Sequence, residues 1–266
     1  LFRTPAYFSV YSRILAASTV CEFIMIVGMM ITVVKERIFL SACILQFHGI
    51  CTAISVDFCS IVFGIQQYMY TVTCLLLNFS FVYRLRILDH DANNRKIDYV
   101  VILIIAGILV VNFPVISIYH YAEMRQDPIV EQYRLEKGVG SEMAIGIVNY
   151  TDLFSLLAVN YSMLTSFIPF IASVIMRKKI IRKLDEMTGK LSIATKAQHD
   201  MLIKALNLQL TVSSCSLLGA ALFTFNLIML NIIPDFPETT DAVVVICNMQ
   251  NVISAFSNLY IITPYR

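Results

Sequence analysis

Charge is scarce in this chain of 266 residues: Asp, Glu, Lys and Arg make up 14% of it, against roughly 25% in an ordinary soluble domain. With 58% of the residues hydrophobic, that scarcity excludes an ordinary water-soluble globule. An imbalance of sign is lacking too, since 20 basic and 18 acidic residues leave a formal charge of +2. Such a balance offers no footprint for nucleic acid, which asks for clustered positive charge on a folded face, and no nucleic-acid partner is expected. The seven cysteines contain no CxxC pair and the histidines number four, so zinc and iron–sulfur spacings are missing and neither metal nor cofactor is expected. An odd number of cysteines in a long apolar chain does not describe a disulfide framework, and most of them read as small hydrophobes. HExxH, GxSxG, Walker and dinucleotide patterns are also absent, while His48, His90, His120 and His199 scatter over loops and flanks. No nucleophile, base and orienting group converge, so the chain is not expected to be an enzyme.

What the sequence has in abundance is long apolar runs. A hydrocarbon core of about 30 Å needs roughly 20 helical residues per crossing, and six stretches meet that length almost without charge: about 14–34, 59–83, 99–119, 153–176, 205–233 and 242–263. Each is continuously apolar over several turns instead of alternating every second residue, which predicts helices and excludes barrel strands. The fold class is therefore all-α, a polytopic helical membrane bundle forming a single domain over residues 1–266. Pro114 and Pro169 fall inside spans, where neighbouring helices can satisfy the freed carbonyls.

Six crossings put the connections alternately on two sides, and the basic residues divide unequally between them. Fifteen of the 20 Lys and Arg fall with the two termini, the second-to-third connection and the long connection 177–204. Ten of the acids, Glu36, Asp127, Glu131 and Asp235 among them, fall on the other side. By the positive-inside rule both termini and the basic connection are cytoplasmic. Both ends inside means an even number of crossings, and one further helix ahead of Leu1 would complete seven with the amino terminus outside.

The order of short motifs along the bundle resembles the nematode chemosensory serpentine receptors, a seven-transmembrane group, and most of all their delta class. Thr4-Pro5 followed by Tyr11-Ser12 resembles the start of that family's second helix. Glu36-Arg37-Ile38 and then Gly49-Ile50-Cys51 is similar to its first outer loop leading into helix three. Ser80-Phe81-Val82-Tyr83-Arg84 resembles the end of helix three, Ala205-Leu206-Asn207-Leu208-Gln209 the start of helix six, and Pro264-Tyr265-Arg266 the end of helix seven. Two departures stand out: the family often has a proline shortly after that glutamine, whereas Leu210-Thr211-Val212-Ser213-Ser214 follows Gln209 here, and the resemblance starts at the family's second helix, so the first is expected to be missing from these residues. The resemblance implies a G-protein-coupled chemoreceptor of olfactory or gustatory type at the plasma membrane of a sensory cilium. Its implied partners are the lipid bilayer, a small-molecule ligand and a heterotrimeric G protein.

Under that resemblance Tyr83 and Arg84 become the G-protein-coupling end of the second span. By its residues alone, Arg84 is equally well a positive-inside anchor that snorkels to the interface. The basic connection supplies Arg177, Lys178, Lys179, Arg182 and Lys183, and Ile180, Ile181, Leu184 and Met187 recur among them at helical spacing. That pattern predicts an amphipathic helix continuing the fourth span, able to lie on anionic headgroups or to contact a partner.

Glu22 is the one ionisable residue near the middle of a span, where a charge costs about 2.5 to 3.5 kcal/mol on insertion scales, so it should face the bundle interior. Its two readings are a ligand contact and a neutral carboxyl bonded to a neighbouring helix through Ser or Asn. Gln66, Gln67 and Tyr70 in the second span, with Asn160 and Tyr161 in the fourth, fit a pocket with apolar walls and a few polar groups. Interhelical hydrogen bonding explains the same residues. Asp57, about 40 Å from Arg84 along a helix, caps the second span or meets an entering ligand. Either Cys43 with Cys51 or Cys51 with Cys59 can cross-link the first outer region, with thiols the alternative. Of the three sequons, only Asn149-Tyr150-Thr151 lies outside a span on the lumenal side, which makes Asn149 the candidate glycosylation site. A transporter or channel subunit, or a receptor fragment that does not signal, is the rival reading.

Overall fold

The computed structural model describes residues 6–39, 42–89, 128–140, 144–149 and 153–188, with scattered helical positions within 103–114, 203–229 and 252–256. Three long helices carry the bundle: α1 (Ala6–Thr32), α2 (Val56–Asp89) and α4 (Leu153–Thr188). A short helix α3 (Pro128–Lys137) and three strands, β1 (Val34–Phe39), β2 (Ala42–Phe47) and β3 (Ile145–Asn149), lie in the connections at one end. The expected spans 99–119, 205–233 and 242–263 fall largely outside the described residues; the positions described in each are helical.

The stretches Arg13–Thr32 and Val56–Arg86 are long and apolar enough to cross a bilayer. On α1, Ile14, Ser18, Cys21, Glu22 and Met25 recur every three or four residues and are buried, while Val20, Phe23, Val27 and Met30 on another face are exposed. An apolar stripe left uncovered along a 27-residue helix is what contact with lipid, not water, permits. The helix stops two residues before the expected Val34. Val33 turns into the left-handed region at φ 41°, which breaks the helical run, and Val34 opens β1. The backbone N–H groups of Gly49 and His48 then reach the carbonyls of Thr32 and Val33 at 2.9 and 3.2 Å, satisfying the end of the helix. Gly49 is needed for that approach: a Cβ there would lie 2.6 Å from the carbonyl carbons of Ile31 and Thr32.

The helical bundle stands as expected, and the strands add a small sheet that the all-α reading lacked. They form an antiparallel sheet in the order β1-β2-β3, with Glu36 opposite Leu45 and Ala42 opposite Asn149. Every residue of β2 is buried, so its sequence lacks the alternation that would have marked it as a strand. One face, through Cys43, Leu45, Phe47 and Val148, packs on Ile31 of α1, Phe58 and Phe63 of α2 and Tyr161 of α4. The other face, through Ala42, Ile44 and Ile147, is covered by Ile129, Val130 and Tyr133 of α3. Gln46 Nε2 donates to the Tyr133 hydroxyl at 2.9 Å inside that second layer, and Phe39 meets the Tyr133 ring edge-on at 5.2 Å. The sheet and α3 together form a two-layered cap over these ends of α1, α2 and α4.

Of the two disulfides the sequence allowed, Cys51–Cys59 forms and Cys43 stays a thiol. The bridge ties a 3₁₀ turn at Ile50–Ala53 to the first turn of α2. Capping of α2 falls to Ser55, whose Oγ accepts from the Phe58 N–H at 3.1 Å; Asp57 sits exposed in the first turn, where its charge suits the helix dipole.

Candidate functional site

Two regions of α2 bring together the residues of interest, one below the cap and one at the opposite, basic end. At 3.6 residues per turn, Gln66, Tyr70 and Thr73 share one side of the helix. Tyr68, Val72 and Leu76 turn toward Cys21 and Ala17 of α1, and Phe81 toward Ile180 and Leu184 of α4. The Gln66–Thr73 side of the helix begins at the α1 contact. Gln66 approaches α1 where Gly28 leaves room: a Cβ on Gly28 would stand 3.7 Å from Gln66 Oε1. Gln66 Oε1 and Thr73 Oγ1 are both buried, and among the described residues neither meets a hydrogen-bond partner. A buried polar atom left so carries a desolvation cost of about 1–3 kcal/mol and asks for an explanation.

The other predicted pocket residues are placed differently. Gln67 is a quarter turn from the stripe, toward the α4 side. Tyr161 packs under the cap, and Asn160 is exposed. Glu22 is 1% exposed; Ser254 Oγ donates to its Oε1, and Ser18 Oγ lies 3.4 Å from the same oxygen. The acid thus has the serine from another helix that the structural reading of it required.

At the basic end, α4 runs unbroken through Pro169 to Thr188, continuing the fourth span as the spacing predicted. Its apolar residues are used internally: Ile180 and Leu184 are buried against Phe81 of α2, with Leu77, Leu85 and Met176 around them. Arg84 is 4% exposed, and Tyr83 is buried beside it, so the arginine turns inward instead of snorkelling to the interface. Arg177 Nε donates to Asn207 Oδ1 at 2.6 Å, and Arg182 Nε to Glu186 Oε1 at 3.2 Å. Lys178, Lys179 and Arg182 are exposed, and Lys183 is half-buried.

Sequence reasoning missed Thr73, which sits one turn beyond Tyr70 and was legible by the same spacing. It also missed Asn78, whose Nδ2 donates to the Pro169 carbonyl at 2.9 Å and joins α2 to α4 at the proline. Asn149 is the last residue of β3, opposite Ala42. Outside the spans, Glu36 shares the cap's bundle-facing side with Leu45. Part of its surface stays exposed, yet burial pushes its carboxyl up from 4.5 to about 7. Among the described residues no group of three or more His, Cys, Asp or Glu could hold a metal ion.

Long apolar helices with exposed apolar flanks are those of a helical membrane bundle. The chain belongs to the serpentine type 7TM GPCR chemoreceptor family Srd, which matches over residues 1–266. Among curated proteins it is similar to serpentine receptor class delta-18 of Caenorhabditis elegans, 24% identical over 228 residues, covering 83% of this chain and 65% of that receptor. The chain thus spans just under two thirds of that relative's length. No solved structure matches it.

Proposed function

We propose that this chain is the bundle of a G-protein-coupled chemoreceptor that binds a small molecule between its helices below the cap and activates a heterotrimeric G protein at the basic end. Family membership supports the receptor class; the burial of Arg84 beside the α2–α4 contact is the observation that carries the coupling reading. A positive-inside anchor would sit in the headgroups, whereas Arg84 is buried while Lys178, Lys179 and Arg182 of α4 are exposed, so it is a cation held back from a basic surface. Ligand binding acts by favouring the arrangement in which that end is open, which requires tighter binding to the open state than to the closed one. In this reading the basic end, both termini included, is cytoplasmic and the cap faces outward, at the plasma membrane of a sensory cilium. Gln66, Tyr70, Gln67 and Tyr161 contribute to ligand contact, with Glu22 as a structural carboxyl at the same depth, and Asn149 at the end of β3 is the candidate for glycosylation.

The test is guanine-nucleotide exchange on a co-expressed G protein by the full-length receptor, with Arg84→Ala as control. Loss of exchange in the variant at unchanged surface expression is the expected result. Ligand-driven solute flux that persists without G protein would instead establish a transporter.

A further inference from the structure

The outer side of α4 changes character along one line. From Leu153 through Leu157, Leu164, Ile168 and Ile171 to Ile175 its exposed positions recur every three or four residues and are apolar except for Asn160. Between positions 153 and 175 the helix rises about 33 Å, close to the roughly 30 Å of a hydrocarbon core. The next exposed residues are Lys178 and Lys179, one turn on and to either side of that line, and Arg182, two turns on and back in line with Ile175. Ile180 and Leu184 are held against Phe81 of α2, which keeps this segment from lying down on the membrane surface. The three cations therefore emerge on the lipid side, about 5–10 Å beyond Ile175, at the depth of the headgroups.

Arg182 gives its Nε to Glu186 at 3.2 Å, whereas Lys178 and Lys179 meet no acidic partner among the described residues. At the same end α1 repeats the arrangement: its exposed line runs Met30, Val27, Phe23, Val20 and Ala16 at spacings of three and four, and closes on exposed Arg13. At the cap end α2 instead exposes Asp57 in its first turn. Each Lys or Arg at a membrane surface strengthens association with anionic lipid roughly fivefold. Resting on the orientation given above, we propose that Lys178, Lys179 and Arg182 hold anionic phospholipids of the cytoplasmic leaflet by their headgroups, selected by charge and not by headgroup structure, so that α4 gathers such lipids beside the coupling end.

The chain contains no tryptophan, so a single introduced one reports the lipid at its own position. Ile171→Trp, 56% exposed, watches the basic half of the α4 line, and Leu157→Trp, 53% exposed, the half toward the cap. The full chain is placed in phosphatidylcholine nanodiscs containing phosphatidylserine brominated on its acyl chains, with brominated phosphatidylcholine as the reference. Quenching should give a binding constant at least about fivefold in favour of phosphatidylserine at position 171 and about equal for the two lipids at position 157. Lys178→Gln, Lys179→Gln and Arg182→Gln together should remove the preference at 171, while Lys137→Gln on α3 should leave it unchanged. Brominated phosphatidylglycerol, with the same charge on another headgroup, should match phosphatidylserine. Equal preference at the two reporters, or a preference at 171 that survives the triple substitution, overturns the proposal. A triple variant that keeps its lipid preference and loses nucleotide exchange assigns these cations to the G protein instead. Phosphatidylglycerol bound unlike phosphatidylserine overturns selection by charge. Quenching involves neither ligand nor G protein, and both leaflets of the nanodisc are alike, so it and nucleotide exchange can fail separately.

Discussion

The Gln46–Tyr133 hydrogen bond offers the sharpest test of how the cap is held. Both residues are buried and the bond is 2.9 Å, joining β2 to α3 across the outer layer. Tyr133→Phe removes the acceptor while leaving the Gln46 amide in place with no water to turn to. The expected loss is the desolvation penalty of the orphaned amide, about 1–3 kcal/mol. Removing both partners, Gln46→Leu with Tyr133→Phe, replaces the pair by apolar groups of similar shape, and the cost should fall toward zero. Cys43 provides the readout, because it is a thiol only 4% exposed on the far face of the same sheet. Its alkylation under native conditions reports opening of the cap, so the single variant should speed labelling by about 5- to 150-fold, at tenfold per 1.4 kcal/mol. The double variant should label close to the wild-type rate. If it instead labels as fast as Tyr133→Phe or faster, the bond contributes as attraction and not through burial, and the reasoning fails.

Glu36 makes the cap pH-sensitive. Its folded-state carboxyl lies above the usual value of 4.5, at about 7, so the folded form holds the proton more tightly than the unfolded chain. Stability from this group is full below about 4.5 and is lost as pH rises through about 7, by at most about 3 kcal/mol and less to the extent that water reaches the carboxylate. Thermal midpoints in nanodiscs between pH 5 and 8 should fall with pH, and Glu36→Gln should flatten the trend. Gly49→Ala forces a methyl group into the backbone of Ile31 and Thr32 and should cost about 1–3 kcal/mol, seen as a lower midpoint. Val33→Gly relieves a branched side chain at φ 41° and should gain up to about 1 kcal/mol in the same assay. Leu184→Ala empties part of the Phe81–Ile180–Leu184 contact at about 2–5 kcal/mol and should raise basal nucleotide exchange by loosening the end where Arg84 is held; exchange unchanged or lower would count against that role.

The long helices were legible because a bilayer demands length and apolar composition, both one-dimensional properties. The helical spacing of Ile180 and Leu184 gave the extension of α4, though not its use: the same stripe suits a membrane surface or another helix, and only the position of Phe81 decides between them. The inward turn of Arg84 is hidden for the same reason. The sheet escaped because burial on both faces erases the alternation of β2, and because β3 lies far along the chain. Ser55 was passed over for Asp57 since both residue types cap helices and two positions separate them.

That distant pairing also has a consequence for biosynthesis. Ala42 waits for Asn149, 107 positions downstream, with the whole of α2 to be made before the partner strand appears. Until then β2, buried on both faces in the finished fold, stands as an open edge, a template for pairing with another nascent chain. A newly made receptor of this kind is therefore most exposed to misassembly midway through its synthesis, and substitutions in Ile145–Asn149 should be felt first as poor delivery to the cell surface, before any defect in sensing can be measured.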